Sequence, residues 1–331
     1  MGGPPPDERI LYTLDMVKPP DNTSYFIGDS LDLTGIQMDA TYIKVGPVED
    51  VENVTDNCVY SMNTGDVLDT EGVQNINATF TDGVGTVTEN FSVDVLPIIV
   101  DFATGTNEQL YRMLQAHYAG TINIHDHWHV GDTRTVHLNA MPATGVGESH
   151  AEQDVEIVLM NAGGMTDTSG TECAFVWGMK NCLNEMGFIN YYYTSSGGWP
   201  ATDRAVWCEN VLYPAFGSDF NRLFREFKHT SCDGIKGTVE VSKIGHCALF
   251  SEKMVFGGIS YTGIVEDSHP YLQWYQTPHN RIKTMSGSAC NWSLSSPAVN
   301  NNPLFVIVSS NGARNIANPN LALWLSAYGL F

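Results

Sequence analysis

The plainest grouping of chemistry-bearing residues is His125-Asp126-His127-Trp128-His129. On a strand, side chains at period two share a face, so His125, His127 and His129 would present three imidazoles together, and two of them could ligate Zn²⁺ or Ni²⁺. A metal site needs a third or fourth ligand, and the sequence marks none. A solvated surface triplet is the favoured reading, with no metal and no cofactor expected. A catalytic nucleophile needs an activating base and an orienting group, and no G-x-S-x-G is present. Gly83-Val84-Gly85, Gly145-Val146-Gly147 and Gly163-Gly164 lack the strand-turn-helix setting of a phosphate loop. The seven cysteines include no C-x-x-C pair, which fits neither a zinc site nor a dense disulfide framework. Cys173 and Cys182 would pair in an oxidising compartment, but free buried thiols are expected. Cys208 and Cys247 sit in apolar runs that favour inert thiols. No residue is assigned a catalytic role, and the chain is expected not to be an enzyme.

The other chemistry is recognition. From Ser286 to Phe331 eight of 46 residues are Asn, and Lys, Asp, Glu, Gln, Thr, His and Met are all absent. Trp292, Phe305, Ile307, Leu321, Leu323 and Leu325 recur there at strand-like spacing, so the segment reads as folded. Asn, Ser and Arg supply adaptable donors and acceptors, as in antibody binding loops. Asn291, Ser293, Ser295, Ser309, Asn311, Arg314, Asn315, Asn318 and Asn320 are the expected exposed contacts. Trp292, Pro297, Phe305, Gly312 and Gly329 are their expected frame.

Composition narrows the partners. The net charge of −21 opposes nucleic-acid binding, which needs Lys and Arg, and opposes docking on anionic lipid. No run of 18 apolar residues occurs, so no membrane insertion is expected.

The elements that must position these residues fall into stretches. Residues 1–8, MGGPPPDE, read as a flexible N-terminal arm. Residues 9–97 read as short strands separated by turns, the pattern of an all-β sandwich, with Ile10, Tyr12 and Leu14 alternating in the first. Residues 98–331 read as an α+β domain. A capping box at Thr106 and Gln109 opens a helix with Leu110, Met113, Leu114 and His117 on one face. Thr202 caps a second helix, with Ala205, Val206 and Leu212 inward and Pro214 ending it. Ser218 caps a third, with Phe220, Leu223, Phe224 and Phe227 on one face. Strands are expected at Arg134–Leu138, Val155–Met160, Ile244–Phe250 and Met254–Phe256.

KPPDNTSYFIGDSLDLTGI (18–36) and VTENFSVDV (87–95) resemble bacterial Ig-like domains of surface and phage tail proteins. WHVGDTRTVHL (128–138), GESHAEQDVEIVLMN (147–161), SGGWPATDRAVW (196–207), LFSEKMVFG (249–257) and NRIKTMSGSACNWSLSSP (280–297) resemble a domain family, without assigned activity, of gut bacteria and their phages. That family is similar to the C-type-lectin fold, in which N- and C-terminal strands pair and a loop-rich half binds. The W-x-x-x-SP pattern also looks like the variable proteins of diversity-generating retroelements, of the phage major tropism determinant type. Adenine-directed mutagenesis of Asn codons ending in C or T cannot yield Lys, Glu, Gln or Met, and all four are absent after Met285. The E-P-N, Q-P-D and W-N-D tripeptides of calcium-dependent lectins are absent too.

The resemblance implies a multidomain chain, an Ig-like β-sandwich followed by an α+β C-type-lectin-like domain whose variable segment is 286–331. The implied role is a receptor-binding adhesin on a phage tail (virion) or a bacterial cell surface. Its partners would be a host-surface protein or glycan and other virion or surface-anchor proteins, with a homotrimer as the expected assembly. The alternative is a structural virion component, a capsid or tail decoration protein without a receptor role.

Overall fold

The computed structural model describes residues 9–44, 49–144, 149–184, 186–299 and 303–331. The proposed arm at 1–8, the Gly145–Gly147 stretch and the Asn run at 300–302 lie outside them. The chain is β-rich with few helices and divides into two units, Met1–Ile98 and Ile99–Phe331.

In the first unit β1 is Arg9–Lys18, β2 Ser24–Phe26, β3 Gln37–Lys44, β4 Glu49–Asn53, β5 Val59–Tyr60, β6 Gly72–Thr81 and β7 Thr86–Leu96. They form two sheets, in the orders β1-β3-β4 and β2-β7-β6-β5. Period two governs their burial: Ile76, Ala78 and Phe80 of β6 and Phe91, Val93 and Val95 of β7 enter one core with Leu11, Leu14, Met38 and Ala40. β1 departs from the alternation expected of it. Ile10 and Tyr12 are exposed, and Leu11 and Leu14 are buried. A register shift between Leu11 and Thr13 against β3 inserts a bulge, which turns the strand over between its two buried leucines. Gly83-Val84-Gly85 belongs to the β6–β7 hairpin turn, where Asp82 Oδ1 accepts from the Val84 and Gly85 amides at 2.8 and 3.0 Å.

In the second unit β8 is Thr133–Leu138, β9 Gln153–Ala162, β10 Phe175–Met179, β11 Met186–Gly187, β12 Phe227–Cys232, β13 Glu240–Gly245 and β14 Ala248–Leu249. Then come β15 Lys283–Met285, β16 Ser288–Cys290, β17 Trp292–Pro297, β18 Phe305–Val308, β19 Arg314–Ala317, β20 Leu323–Trp324 and β21 Ala327–Leu330. Two five-stranded sheets carry the unit, ordered β14-β21-β10-β9-β8 and β11-β20-β17-β18-β19. β8 and β21, the first and last strands, share a sheet without being neighbours. β9 and β10 separate them, so the direct pairing implied by the lectin resemblance is absent.

β10 was not expected as a strand, because FVWGM shows no alternation. All five of its residues are buried, since it sits centrally with β9 and β21 on either side. Trp177 of β10 stacks on Phe224 at 4.9 Å and on Phe331 at 5.8 Å. Phe250 meets Tyr328, Tyr275 and Trp292 at 5.1–5.9 Å. Each such ring removed from water contributes about 2 kcal/mol.

Helix α1, Asn107–Tyr118, has both halves of its capping box: the Gln109 amide donates to Thr106 Oγ1 and the Thr106 amide to Gln109 Oε1. Leu110, Met113 and Leu114 are buried and His117 is half-buried. α2, Asp203–Trp207, is capped by Thr202, whose Oγ1 accepts from the Ala205 amide. It buries Ala205 and Trp207 and leaves Val206 exposed. Pro214 does not end this helical path. A wider π turn at Cys208–Leu212 leads into α3, Tyr213–Ala215, and such a turn accommodates a residue that cannot donate. α4 is only Ser218–Asn221, with Gly217 rather than Ser218 at its cap position; Phe220, Leu223, Phe224 and Phe227 are all buried, the last from β12. The strand expected at Met254–Phe256 is α5, Glu252–Phe256, capped by Ser251 and stopped by left-handed Gly257. The strand expected at Ile244–Phe250 is broken at His246 and Cys247 into the end of β13 and β14.

Candidate recognition surface along the terminal face

β17 sits in the middle of its sheet, between β20 and β18, and every residue from Trp292 to Pro297 is buried. Ser293 and Ser295, expected as exposed contacts, are therefore fully buried. Their small hydroxyls let neighbouring elements approach a strand covered on both faces. Ser295 Oγ donates to the Phe250 carbonyl at 3.1 Å and lies 3.0 Å from His229 Nε2. Ser296 Oγ accepts from the Glu252 amide at 2.7 Å and donates to Glu266. Trp292, Pro297 and Phe305 are buried frame residues, whereas Leu321 is exposed.

The remaining expected contacts surround this frame. Asn291, Asn311, Asn315, Asn318 and Asn320 are exposed, and Ser309 and Arg314 are half-buried. Arg314 is not a free contact: its guanidinium holds Ser260 Oγ, the Gly258 carbonyl at 2.9 Å and the buried Glu252 carboxylate at 3.1 Å. It also lies 4.6 Å over the Phe256 ring. Two of the asparagines build the β18–β19 turn. Asn291 Oδ1 accepts from the Ser310 amide at 2.7 Å, and Asn311 Oδ1 accepts from the Ala313 amide at 3.0 Å. Gly312 holds φ +81° there, a conformation that favours glycine. Among the described residues β19 is the sheet edge, and Asn315 sits on it.

The asparagine edge continues onto residues that were not expected. Tyr191, Tyr192 and Tyr193 are 62%, 73% and 57% exposed. The Ile189 and Asn190 amides donate to the Pro319 carbonyl at 2.9 and 3.1 Å, and Tyr193 OH donates to Asn318 Oδ1 at 3.2 Å. The far side of the tyrosine segment is pinned to α2: Tyr191 N donates to Asp203 Oδ2 and Asp203 N to Asn190 Oδ1, both at 2.9 Å. A cavity of about 330 Å³ opens beside it, walled by Tyr191, Tyr192, Val206, Trp207 and Asp203. The signal in the sequence was the Tyr run itself, because three consecutive large rings cannot all turn inward.

The histidine triplet forms neither the period-two array that a strand would give nor the fully solvated triplet expected, since only His129 is exposed. Ile124–Asp126 is a 3₁₀ turn, so period two does not apply. His125 is half-buried with its ring 4.9 Å from Phe175, His127 is half-buried, and His129 is exposed with its amide on Asp132 Oδ2. Trp128 is buried, its Nε1 donating to the Val100 carbonyl at 2.8 Å. Among the described residues no group of three or more His, Cys, Asp or Glu is arranged to hold a metal.

Two Ser–His pairs do have nucleophile–base geometry: His229 with Ser295 at 3.0 Å and His269 with Ser251 at 2.7 Å. All four side chains are buried. Burial pushes His229 well below its usual value and His269 down to about 4, which leaves both neutral at pH 7. They hold the core under β17 together, with His229 Nδ1 bonded to Tyr328 OH at 2.6 Å.

No protein-family model and no curated protein matches the chain.

Proposed function

We propose that the chain is a non-enzymatic binding protein, an Ig-like spacer carrying a C-type-lectin-like head, mounted on a phage tail or a bacterial surface. The head takes a host-surface protein or glycan on the terminal face. The observation that carries this reading is the continuity of exposed Asn315, Asn318 and Asn320 with exposed Tyr191–Tyr193, joined at Tyr193–Asn318, with Asn315 on β19 paired to the fully buried β18. Rigid aromatic rings give contact area at small entropy cost, and asparagines give adaptable hydrogen bonds. Retroelement diversification of 286–331 fits the same face, because exposed Asn315, Asn318 and Asn320 lie outside buried β17.

The test is binding of the labelled full chain to a glycan array and to intact gut-bacterial cells. Tyr192→Ser combined with Asn318→Ala is expected to weaken binding at least about tenfold, with an unchanged melting temperature. Val73→Ser, at an exposed position of the first unit, is expected to change nothing. Undiminished binding by the double variant overturns the reading.

A further inference from the structure

The recognition reading leaves a pair of buried thiols unused. Cys182, after β10, and Cys290, at the end of β16, have their sulfurs 3.3 Å apart. The free buried thiols expected from the sequence are found, and the sulfur neighbour of Cys182 is Cys290 rather than Cys173. The two backbones are tied at this point. The Cys182 amide donates to the Thr284 carbonyl at 3.3 Å, and Asn181 Oδ1 accepts from the Thr284 amide and hydroxyl at 3.2 and 3.0 Å. Beside them the buried Lys283 ammonium donates to the Met179 and Lys180 carbonyls, ringed by Phe250, Tyr275 and Trp292 at 5.0–5.6 Å. A cleft of about 420 Å³ reaches Cys182 from solvent, walled by Cys182, Gln153, Glu156, Asn181, Thr284 and Gly287.

We propose that Cys182 and Cys290 are a redox pair that closes to a disulfide by exchange with a small-molecule disulfide entering this cleft. The Cys182 thiol in the cleft wall loses its proton to solvent, and its sulfur attacks one sulfur of the incoming disulfide. A mixed disulfide forms, and one small thiolate leaves and takes a proton from water. Cys290 then loses its proton to solvent and attacks the Cys182 sulfur, expelling the second small thiolate, which is protonated in turn. Two protein thiols and one small disulfide become one protein disulfide and two small thiols, so the protein loses two electrons to the oxidant. The sulfurs need to close from 3.3 Å to about 2.0 Å. In the resting pair the hydrogen bond to Cys182 holds the Cys290 thiol below its usual value against burial, with help from Lys283, while the same bond pushes the Cys182 thiol up. The bond staples the β15–β16 hairpin to the segment after β10. It thereby fixes Cys290 beside Asn291, whose side chain supports the Ser310 amide of the terminal face.

The experiment uses the folded full chain in oxidised or reduced glutathione, followed by alkylation under denaturing conditions and a non-reducing peptide map. A Cys182–Cys290 cross-linked peptide is expected in oxidised glutathione, and both residues alkylated in reduced glutathione. The oxidised chain is expected to melt about 5–15 °C higher, a gain that Cys290→Ser lacks. Should Cys290→Ser fail to fold, the wild-type peptide map decides alone. Both thiols still alkylatable after oxidation, a glutathione adduct retained on Cys182, or a cross-link between other cysteines overturns the proposal.

Discussion

The Tyr193 hydroxyl donates to Asn318 Oδ1 at 3.2 Å, joining segments 125 residues apart in sequence at an exposed surface. That bond makes one face out of the tyrosine segment and the asparagine edge. Exposed neutral hydrogen bonds are worth little to folding, because water offers the same partners. Its expected contribution is to position the ring, with under about 1 kcal/mol of stability. A double-mutant cycle of Tyr193→Phe and Asn318→Ala on the unfolding free energy checks this.

Gly329 is required by close approach. A Cβ there would lie 2.6 Å from the His246 carbonyl oxygen and 2.8–2.9 Å from Trp177 ring atoms. Neither neighbour yields, one being backbone and the other a fully buried indole. Gly329→Ala is expected to destabilise the second unit by about 1–3 kcal/mol, read from denaturant unfolding.

Arg314 anchors β19 rather than serving as a loose contact. Removing it takes a charge partner from the fully buried Glu252, although the Ser260, Tyr261 and Thr262 amides still serve that carboxylate. Arg314→Ala is expected to cost about 2 kcal/mol in thermal unfolding. Arg314→Lys does not restore the loss, because an ammonium cannot span Ser260, Gly258 and Glu252 as the planar fork does.

Burial pushes the Glu266 carboxyl up to about 7 from 4.5, against hydrogen bonds from Ser296, Thr262 and Ser231. A folded-state value above the unfolded one means that its stabilising contribution is intact below about 4.5 and is lost as pH rises through 7. His269, pulled down to about 4 by burial, acts in the opposite sense, costing stability as pH falls from 6.5 through 4. Glu266→Gln removes only the first effect. The stability of the variant relative to wild type is expected to climb by on the order of 3 kcal/mol between pH 4.5 and 8 and to stay flat below. A pH-independent difference contradicts the assignment.

Much of this was legible where local chemistry decides structure. The Thr106–Gln109 capping box, the Thr202 cap and the alternation in β6 and β7 each follow from neighbours a few residues away. Burial on both faces was not legible. Ser293 and Ser295 look like surface residues, and only the placement of β17 between β18 and β20 makes them core. β10 hid for the same reason, its unbroken apolar run lacking any period. The His125–His129 triplet failed because its period-two premise needs a strand where the chain makes a 3₁₀ turn. The role of Cys290 beside Cys182 depends on a contact 108 residues long in sequence, which spacing alone cannot disclose.

The most direct measurement is saturation mutagenesis of residues 291–331 in the displayed full chain, scored by protease resistance. Most side chains are expected to be accepted at Asn315, Asn318 and Asn320 with losses below about 1 kcal/mol, and few at Ser293, Ser295, Ser296 and Gly329. Equal intolerance at the three asparagines would show them to be part of the frame and contradict a face whose outward side chains are free to change.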